Sequence, residues 1–112
     1  MMNDNDPILF ASISGDVLTL SIHHTTINAE NALRMQVEFR TLLQTLPPNI
    51  KTIHLEISEL LAMSSRGFES FLLLHQGCVD KKVALTVSKL TQIFHRLLSR
   101  MGFLRLLKIE DE

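Results

Sequence analysis

The feature that most constrains the fold of this chain is a repeated change in the spacing of its apolar residues. Ile53, Leu55 and Ile57 alternate with polar residues, a period of two that predicts a half-buried strand. On either side of this strand the apolar residues recur at steps of three and four, which predicts amphipathic helices. Because strands and helices alternate, neighbouring strands are expected to be parallel and joined by right-handed crossovers. The sequence therefore predicts an α/β domain.

The N-terminal part of the chain predicts a hairpin and a helix. Apolar runs at 8–13 and 17–23 read as two strands, because a Ser14-Gly15-Asp16 turn separates them. A first helix is expected after Asn28, a favourable N-cap residue, and it ends before Pro47. Its apolar stripe consists of Ala32, Met35, Phe39, Leu42 or Leu43, and Leu46.

The remaining elements follow the same alternation. A second helix is predicted from about 65 to 79, a strand at 82–87, a third helix closed by Gly102, and a last strand at 103–109. The second helix is expected to place Phe68, Phe71, Leu72 and His75 on one side. The third carries a single apolar stripe of Leu90, Ile93, Phe94, Leu97, Leu98 and Met101. The predicted order is β-β-α-β-α-β-α-β, in a mixed, mostly parallel sheet of four to five strands.

Composition limits the class of protein and its partners. A chain of 112 residues with 46% hydrophobic and 21% charged residues fits a single globular domain over 1–112. Residues 1–7 read as a flexible acidic leader and 110–112 as an acidic tail. The net charge of -1 argues against nucleic acid or an anionic membrane as partner. No signal peptide or membrane span is evident, and Cys78 is the single cysteine, which predicts a buried thiol and a cytoplasmic location.

The segment from Glu56 to Phe68 is the candidate functional site, because it carries two adjacent serines between a strand and a helix. Sites in parallel sheets lie beyond the carboxyl ends of the strands, where loops lead into helix N-termini. Serine is a good N-cap residue, worth about 1 kcal/mol to the helix, so one serine needs no other role. Two consecutive serines exceed that need, and Gly67 early in the helix indicates close approach of another backbone.

Several kinds of chemistry are disfavoured by the same residues. A hydrolase elbow has glycine two residues before the nucleophile, where Ala62 stands for Ser64 and Met63 for Ser65. The five histidines show no spacing typical of a zinc helix, and the four glycines are too dispersed to cradle a phosphate. We therefore expect no catalytic residue, no metal and no cofactor.

The run from Glu56 to Phe68, Glu-Ile-Ser-Glu-Leu-Leu-Ala-Met-Ser-Ser-Arg-Gly-Phe, resembles the signature of STAS domains, specifically of bacterial anti-sigma factor antagonists. That signature reads approximately D-L-S-x-V-x-F-M-D-S-S-G-L and aligns without a gap. Further resemblance lies at 27–30 and 99–103, and the similarity covers about residues 8 to 109. The chain departs from the family where Ser64 and Asn28 each stand in place of a usual aspartate.

The resemblance implies a partner-switching protein that catalyses nothing. It would bind an anti-sigma factor with serine kinase activity, be phosphorylated by it on Ser65, and be restored by a serine phosphatase. The partner-binding residues implied are Asn28, Glu56, Ser64, Ser65, Arg66, Gly67 and Phe68. The chain would be a monomer or weak dimer. An alternative within the same resemblance is a non-phosphorylated STAS subunit that regulates a transporter or a stress-signalling assembly.

Overall fold

The computed structural model describes residues 7–88, 91–100 and 108–110. Seven strands and three helices lie in this part of the chain. They are β1 (Leu9–Ser14), β2 (Val17–Ile22), β3 (Thr26–Ile27), α1 (Ala29–Gln44), β4 (Thr52–Glu56), β5 (Ala62–Met63), α2 (Ser65–Lys81), β6 (Ala84–Ser88), α3 (Gln92–Arg100) and β7 (Lys108–Glu110). Five of the strands form one sheet in the order β1-β2-β4-β6-β7. The predicted α/β class and element order are confirmed.

Strand directions agree with the prediction from sequence. Strands β1 and β2 form an antiparallel hairpin, whereas β2–β4, β4–β6 and β6–β7 are all parallel pairs. The hairpin turn has two central residues, and Gly15 adopts the positive φ of +62° that the first position of a type II′ turn requires. Because glycine has no Cβ, it takes this conformation without strain.

The core lies between one face of the sheet and the helices α1 and α2. Alternate residues of β2 and β4, among them Leu20, Ile22, Ile53 and Leu55, are fully buried on this face. They pack in one cluster with the stripe of α1 and with the buried side chains of α2, which are Phe68, Phe71, Leu74 and Cys78. The opposite face of the sheet carries mainly polar residues, including Thr19, His54 and Thr86. Period-two alternation thus produces a sheet with one apolar and one polar face.

Three details differ from the sequence prediction. First, two short strands, β3 and β5, form a separate parallel ribbon that the periodicity did not reveal. Second, Leu72 of α2 is exposed, and Leu74 is buried in its place. The helix also continues to Lys81, where Lys82 ends it in the left-handed conformation with φ of 59°. Residues 72–74 are all leucines and point in three different directions around the helix. The sequence alone therefore does not show which leucine is buried, and the packing against the sheet and α1 decides it.

Some predicted features lie outside the described residues. These are the acidic leader apart from Pro7, the side chains of the third helix's apolar stripe, the Gly102 cap, most of the last predicted strand, and the tail beyond Glu110.

Candidate functional site

The β3–β5 ribbon brings the N-termini of α1 and α2 together. Ile27 is in register with Met63, and the Ser64 N–H donates a 2.8 Å hydrogen bond to the Ile27 carbonyl. The Thr25 carbonyl accepts from the N–H of Leu61 at 2.8 Å, which closes the ribbon at its other end. Each helix starts directly after its ribbon strand. The two helix caps, Asn28 and Ser64, are therefore neighbours.

Both caps are made by short polar side chains. Asn28 Oδ1 accepts a 2.8 Å hydrogen bond from the N–H of Asn31, which confirms Asn28 as the N-cap of α1. Ser64 Oγ accepts from the N–H of Gly67 at 3.3 Å and is the N-cap of α2. Such bonds supply acceptors to N–H groups at a helix start, where the regular acceptor four residues earlier is missing.

The two adjacent serines consequently have different environments. Ser64 is half-buried, with its hydroxyl in the cap and its N–H in the ribbon. Ser65 is the first residue of α2 and is exposed. Capping by Ser64 thus leaves the Ser65 hydroxyl facing solvent, at the positive end of the helix dipole. No acidic residue lies in the first turn of α2.

Gly67 and Phe68 lie in the packed interior of the site. Gly67 is buried, and a Cβ placed on it would collide with Met63 Cγ and lie 2.6 Å from Met63 Sδ. Phe68 is only 7% exposed and belongs to the core. The expectation that another backbone approaches Gly67 is wrong, because the close neighbour is the side chain of the β5 methionine, which packs across the first turn of α2. These two residues fix the start of the helix.

Ser70 ties the first turns of the two helices to each other. Its buried hydroxyl lies 2.9 Å from the Arg66 carbonyl and 3.2 Å from the Ala32 carbonyl of α1. Ala32 is itself completely buried, so a small residue on each helix permits close contact. Arg66 is exposed beside Ser65. The surface that carries Ser65 rests on closely packed helices.

Glu56 belongs to a different part of the site. It is the last residue of β4, exposed on the polar face, and its Oε2 lies 3.5 Å from Ser21 Oγ. Within the described residues, no contact joins its carboxylate to the serine pair. The structure therefore brings Asn28, Ser64, Ser65 and Arg66 together and leaves Glu56 on the polar face of the sheet.

Two features of the site were not found from the sequence. Leu61 is 42% exposed between the buried Leu60 and the ribbon, which gives the site an apolar element. His23 Nδ1 lies 2.7 Å from Glu59 Oε2, and this exposed pair joins the same two loops as the ribbon. The adjacent leucines 60 and 61 could have indicated the exposed apolar side chain, since two neighbouring residues in an irregular segment rarely both point into the core.

Metal-binding clusters and membrane-spanning helices are both absent from the described residues. These residues contain no group of three or more histidine, cysteine, aspartate or glutamate side chains placed to hold a metal ion. Among the same residues, no helix is both long and apolar enough to cross a bilayer.

Comparison with known proteins supports the fold. No family model matches the chain, and no curated protein matches it. Among solved structures, a candidate anti-sigma factor antagonist from Thermotoga maritima superposes with a TM-score of 0.75 at 20% identity, covering 93% of this chain and 86% of that one. The anti-sigma factor antagonist SpoIIAA in its unphosphorylated form gives 0.68 at 10% identity, covering 93% and 88%. The Bacillus cell fate determinant SpoIIAA in the phosphorylated form gives 0.69 at 10% identity, covering 93% and 90%.

These similarities extend over nearly the whole of each chain. The protein therefore has the fold of the anti-sigma factor antagonists, as the resemblance in sequence predicted.

Proposed function

We propose that this protein is an anti-sigma factor antagonist, a binding protein rather than an enzyme, that is switched by phosphorylation of Ser65. The observation that carries the proposal is the division of roles between the serines, with Ser64 capping α2 and Ser65 exposed on its first turn. A free hydroxyl at that position is accessible to another protein's kinase. SpoIIAA, which has this fold, has been described in both unphosphorylated and phosphorylated forms.

The surroundings of Ser65 suit a phosphate. A phosphoserine carries a charge of about -1.5 to -2, and a helix N-terminus stabilises such a charge by roughly 0.3–2 kcal/mol. The N–H groups of Ser65 and Arg66 have no acceptor within the helix, the Arg66 side chain is adjacent, and the α1 N-terminus lies alongside. Phosphorylation should therefore leave the fold intact and act on binding.

The proposed docking surface surrounds Ser65. Its exposed members are Asn28, Ser65 and Arg66, with Leu61 as an apolar contact. Gly67 and Phe68 shape this surface from below. When a partner binds at this surface, a phosphate on Ser65 would lie against the partner's side chains or lose its contact with water, and either effect weakens binding. A loss of about 3 kcal/mol of binding energy is already more than a hundredfold in Kd.

We propose an anti-sigma factor with serine kinase activity as the partner, and a serine phosphatase that restores the binding form, all in the cytoplasm. The first test is incubation of the purified protein with its cognate kinase and ATP, followed by mass analysis of the tryptic peptide 52–66. That peptide holds Ser58, Ser64 and Ser65, so fragment ions and a Ser65→Ala variant locate the phosphate. Phosphate on Ser65 is expected, and its absence would contradict the switch.

The second test separates charge at the helix terminus from charge elsewhere in the segment. Ser65→Asp is expected to weaken binding of the kinase strongly, whereas Ser65→Ala binds like the wild type. Ser58→Asp adds the same charge at another exposed serine of the segment and is the matched control. Equal binding by all three variants, with no phosphate on Ser65, would instead favour a non-phosphorylated STAS subunit of a transporter or stress-signalling assembly.

A further inference from the structure

The outer edge of β1 is an exposed strand edge, and the residues of β1 itself lack the usual protection. In the described part of the chain, β1 pairs with β2 on one side and with no strand on the other. Its sequence, Leu-Phe-Ala-Ser-Ile-Ser, contains no charge, no proline and no glycine, and its six-residue register with β2 is unbroken by a bulge. Charges, prolines and bulges are the devices that keep edge strands from pairing with other chains.

The hairpin determines which backbone groups face outward. In a two-residue hairpin the flanking residues, here Ser14 and Val17, form a hydrogen-bonded pair. The backbone groups of every second residue of β1 therefore point to β2, and those of Leu9, Ala11 and Ile13 point away. The Leu9 N–H donates instead to Glu38 Oε1 at 2.8 Å, as this alternation requires. Glu38 thereby closes the beginning of the free edge.

Apolar side chains flank this edge. Ile13 is 54% exposed and Phe10 is 52% exposed, on opposite faces of β1. On the helix side, Val37 of α1 is 60% exposed, and Leu33, one turn earlier, is 49% exposed. A groove of about 280 Å³ between β1 and α1 is lined by Leu9, Ala11, Val37, Glu38, Thr41 and Leu42. Strand edge and helix thus present a mainly apolar strip, which Glu38 and Thr41 interrupt.

We propose that this edge is a homodimer interface in which β1 pairs antiparallel with β1 of a second copy, about a two-fold axis at Ala11. A two-fold axis perpendicular to the sheet keeps each side chain on its own face of the sheet. Only some registers between the two copies of β1 are therefore possible. Centring on Ala11 sets Leu9 opposite the partner's Ile13 on the helix side, so apolar residues meet apolar ones. The two copies of Ala11 exchange N–H···O bonds, and each Ile13 N–H donates to the partner's Leu9 carbonyl. The Leu9 N–H donates in return to the Ile13 carbonyl of the second copy once Glu38 has released it.

The second copy is favoured over another extended partner because the strip complements itself. It is uncharged along β1, and its apolar residues on the helix side meet one another under the two-fold, with Val37 of α1 beside them. On the other face of β1, Phe10 lies opposite Ser12 of the second copy. One six-residue edge and part of one helix bury less than the ~800 Å² per partner of a standard interface. The dimer should therefore be weak and concentration-dependent. It is independent of the function proposed for Ser65.

Sedimentation equilibrium from about 1 µM to about 1 mM tests the interface on the full chain. The wild type should pass from monomer to dimer, and Ile13→Lys should weaken dimerisation by about tenfold or more, because a charge now lies on the edge. Val79→Lys is the matched control, since Val79 is 55% exposed at a site on α2. A wild type that stays monomeric, or equal effects of both variants, would overturn the proposal.

Opposite charges introduced at Ala11 in two separate variants test the register of the two β1 strands. Ala11→Lys and Ala11→Glu should each weaken the homodimer, because like charges would meet across the axis, and an equimolar mixture should form a heterodimer at least as stable as the wild-type dimer. Circular dichroism checks that each variant is folded. Full dimerisation of the single variants, or a mixture no tighter than they are, would overturn pairing about Ala11.

Discussion

Replacing the two adjacent serines one at a time tests the geometry of the α2 N-terminus without reference to any partner. Ser64→Ala removes the hydroxyl that accepts from the Gly67 N–H at 3.3 Å. Ser65→Ala removes an exposed hydroxyl that makes no such bond. The substitutions are chemically identical and one residue apart. Their difference in unfolding free energy therefore measures the cap, together with the small gain in helix propensity when Ser65, a residue within the helix, becomes alanine.

The expected magnitude follows from the cap geometry. Loss of a serine N-cap costs about 0.5–2 kcal/mol. The Gly67 N–H also donates to the Ser64 carbonyl at 3.0 Å, and the bond to Oγ is the longer of the two. We therefore expect about 0.5–1 kcal/mol for Ser64→Ala, in the lower half of the range. Ser65→Ala should change stability by less than about 0.5 kcal/mol.

Urea unfolding followed by circular dichroism measures both values, with Ser58→Ala as a control for loss of an exposed hydroxyl. For a domain of this size, 1 kcal/mol corresponds to a Tm shift of about 4 °C, so thermal unfolding provides a second reading. If Ser65→Ala destabilised the protein as much as Ser64→Ala, or more, the assignment of the cap to Ser64 would be refuted. The argument for a free Ser65 hydroxyl would fail with it.

Three further predictions concern packing and the buried thiol. Gly67→Ala should destabilise by about 1–3 kcal/mol through collision with Met63, and adding Met63→Ala should recover part of the loss in a double-mutant cycle on unfolding free energy. Ser70→Ala should cost about 1 kcal/mol in urea unfolding, because the hydroxyl between Arg66 and α1 is lost. Burial raises the pKa of the Cys78 thiol from 9.0 to about 11, so stability held below pH 9 should fall as pH rises towards 11 in urea titrations. At pH 8 the native protein should also react with iodoacetamide far more slowly than the urea-unfolded chain; equal rates would contradict burial of the thiol.

The sequence predicts the elements whose pattern is local and long. The hairpin, α1 with its Asn28 cap, and the alternating strand β4 are confirmed, because five or more residues with one period determine which face is buried. The parallel directions follow from the order of these elements and are also confirmed.

The features that escaped prediction depend on contacts between distant segments. A two-residue strand such as β3 has no period, and its partner β5 lies far along the chain, so their pairing leaves no local signal. The phase of α2 depends on which of three successive leucines meets the core. Similarly, the choice between Ser64 and Ser65 as cap depends on where the ribbon ends and the helix begins.

The two caps also explain the two departures from the signature that the chain resembles. The chain has Asn28 and Ser64 where the family usually has aspartate, and the structure shows that each is the N-cap of its helix. Asparagine, serine and aspartate cap helices about equally well, so the helices keep their starting points. Compared with that signature, this chain lacks two carboxylates at the adjacent N-termini of α1 and α2, which carry partial positive charge. The site thereby keeps its shape and loses negative charge beside Ser65.

This charge difference can be measured on the phosphorylated protein. A phosphoserine has a second pKa of about 6, and neighbouring carboxylates raise it while helix N-termini lower it. We expect Asn28→Asp with Ser64→Asp to leave unfolding free energy within about 0.5 kcal/mol, because both caps persist. The same pair should raise the phosphate pKa in a ³¹P NMR titration. An unchanged phosphate pKa would show that the caps do not influence the charge on Ser65, and the paired helix N-termini would then not act as a common anion site.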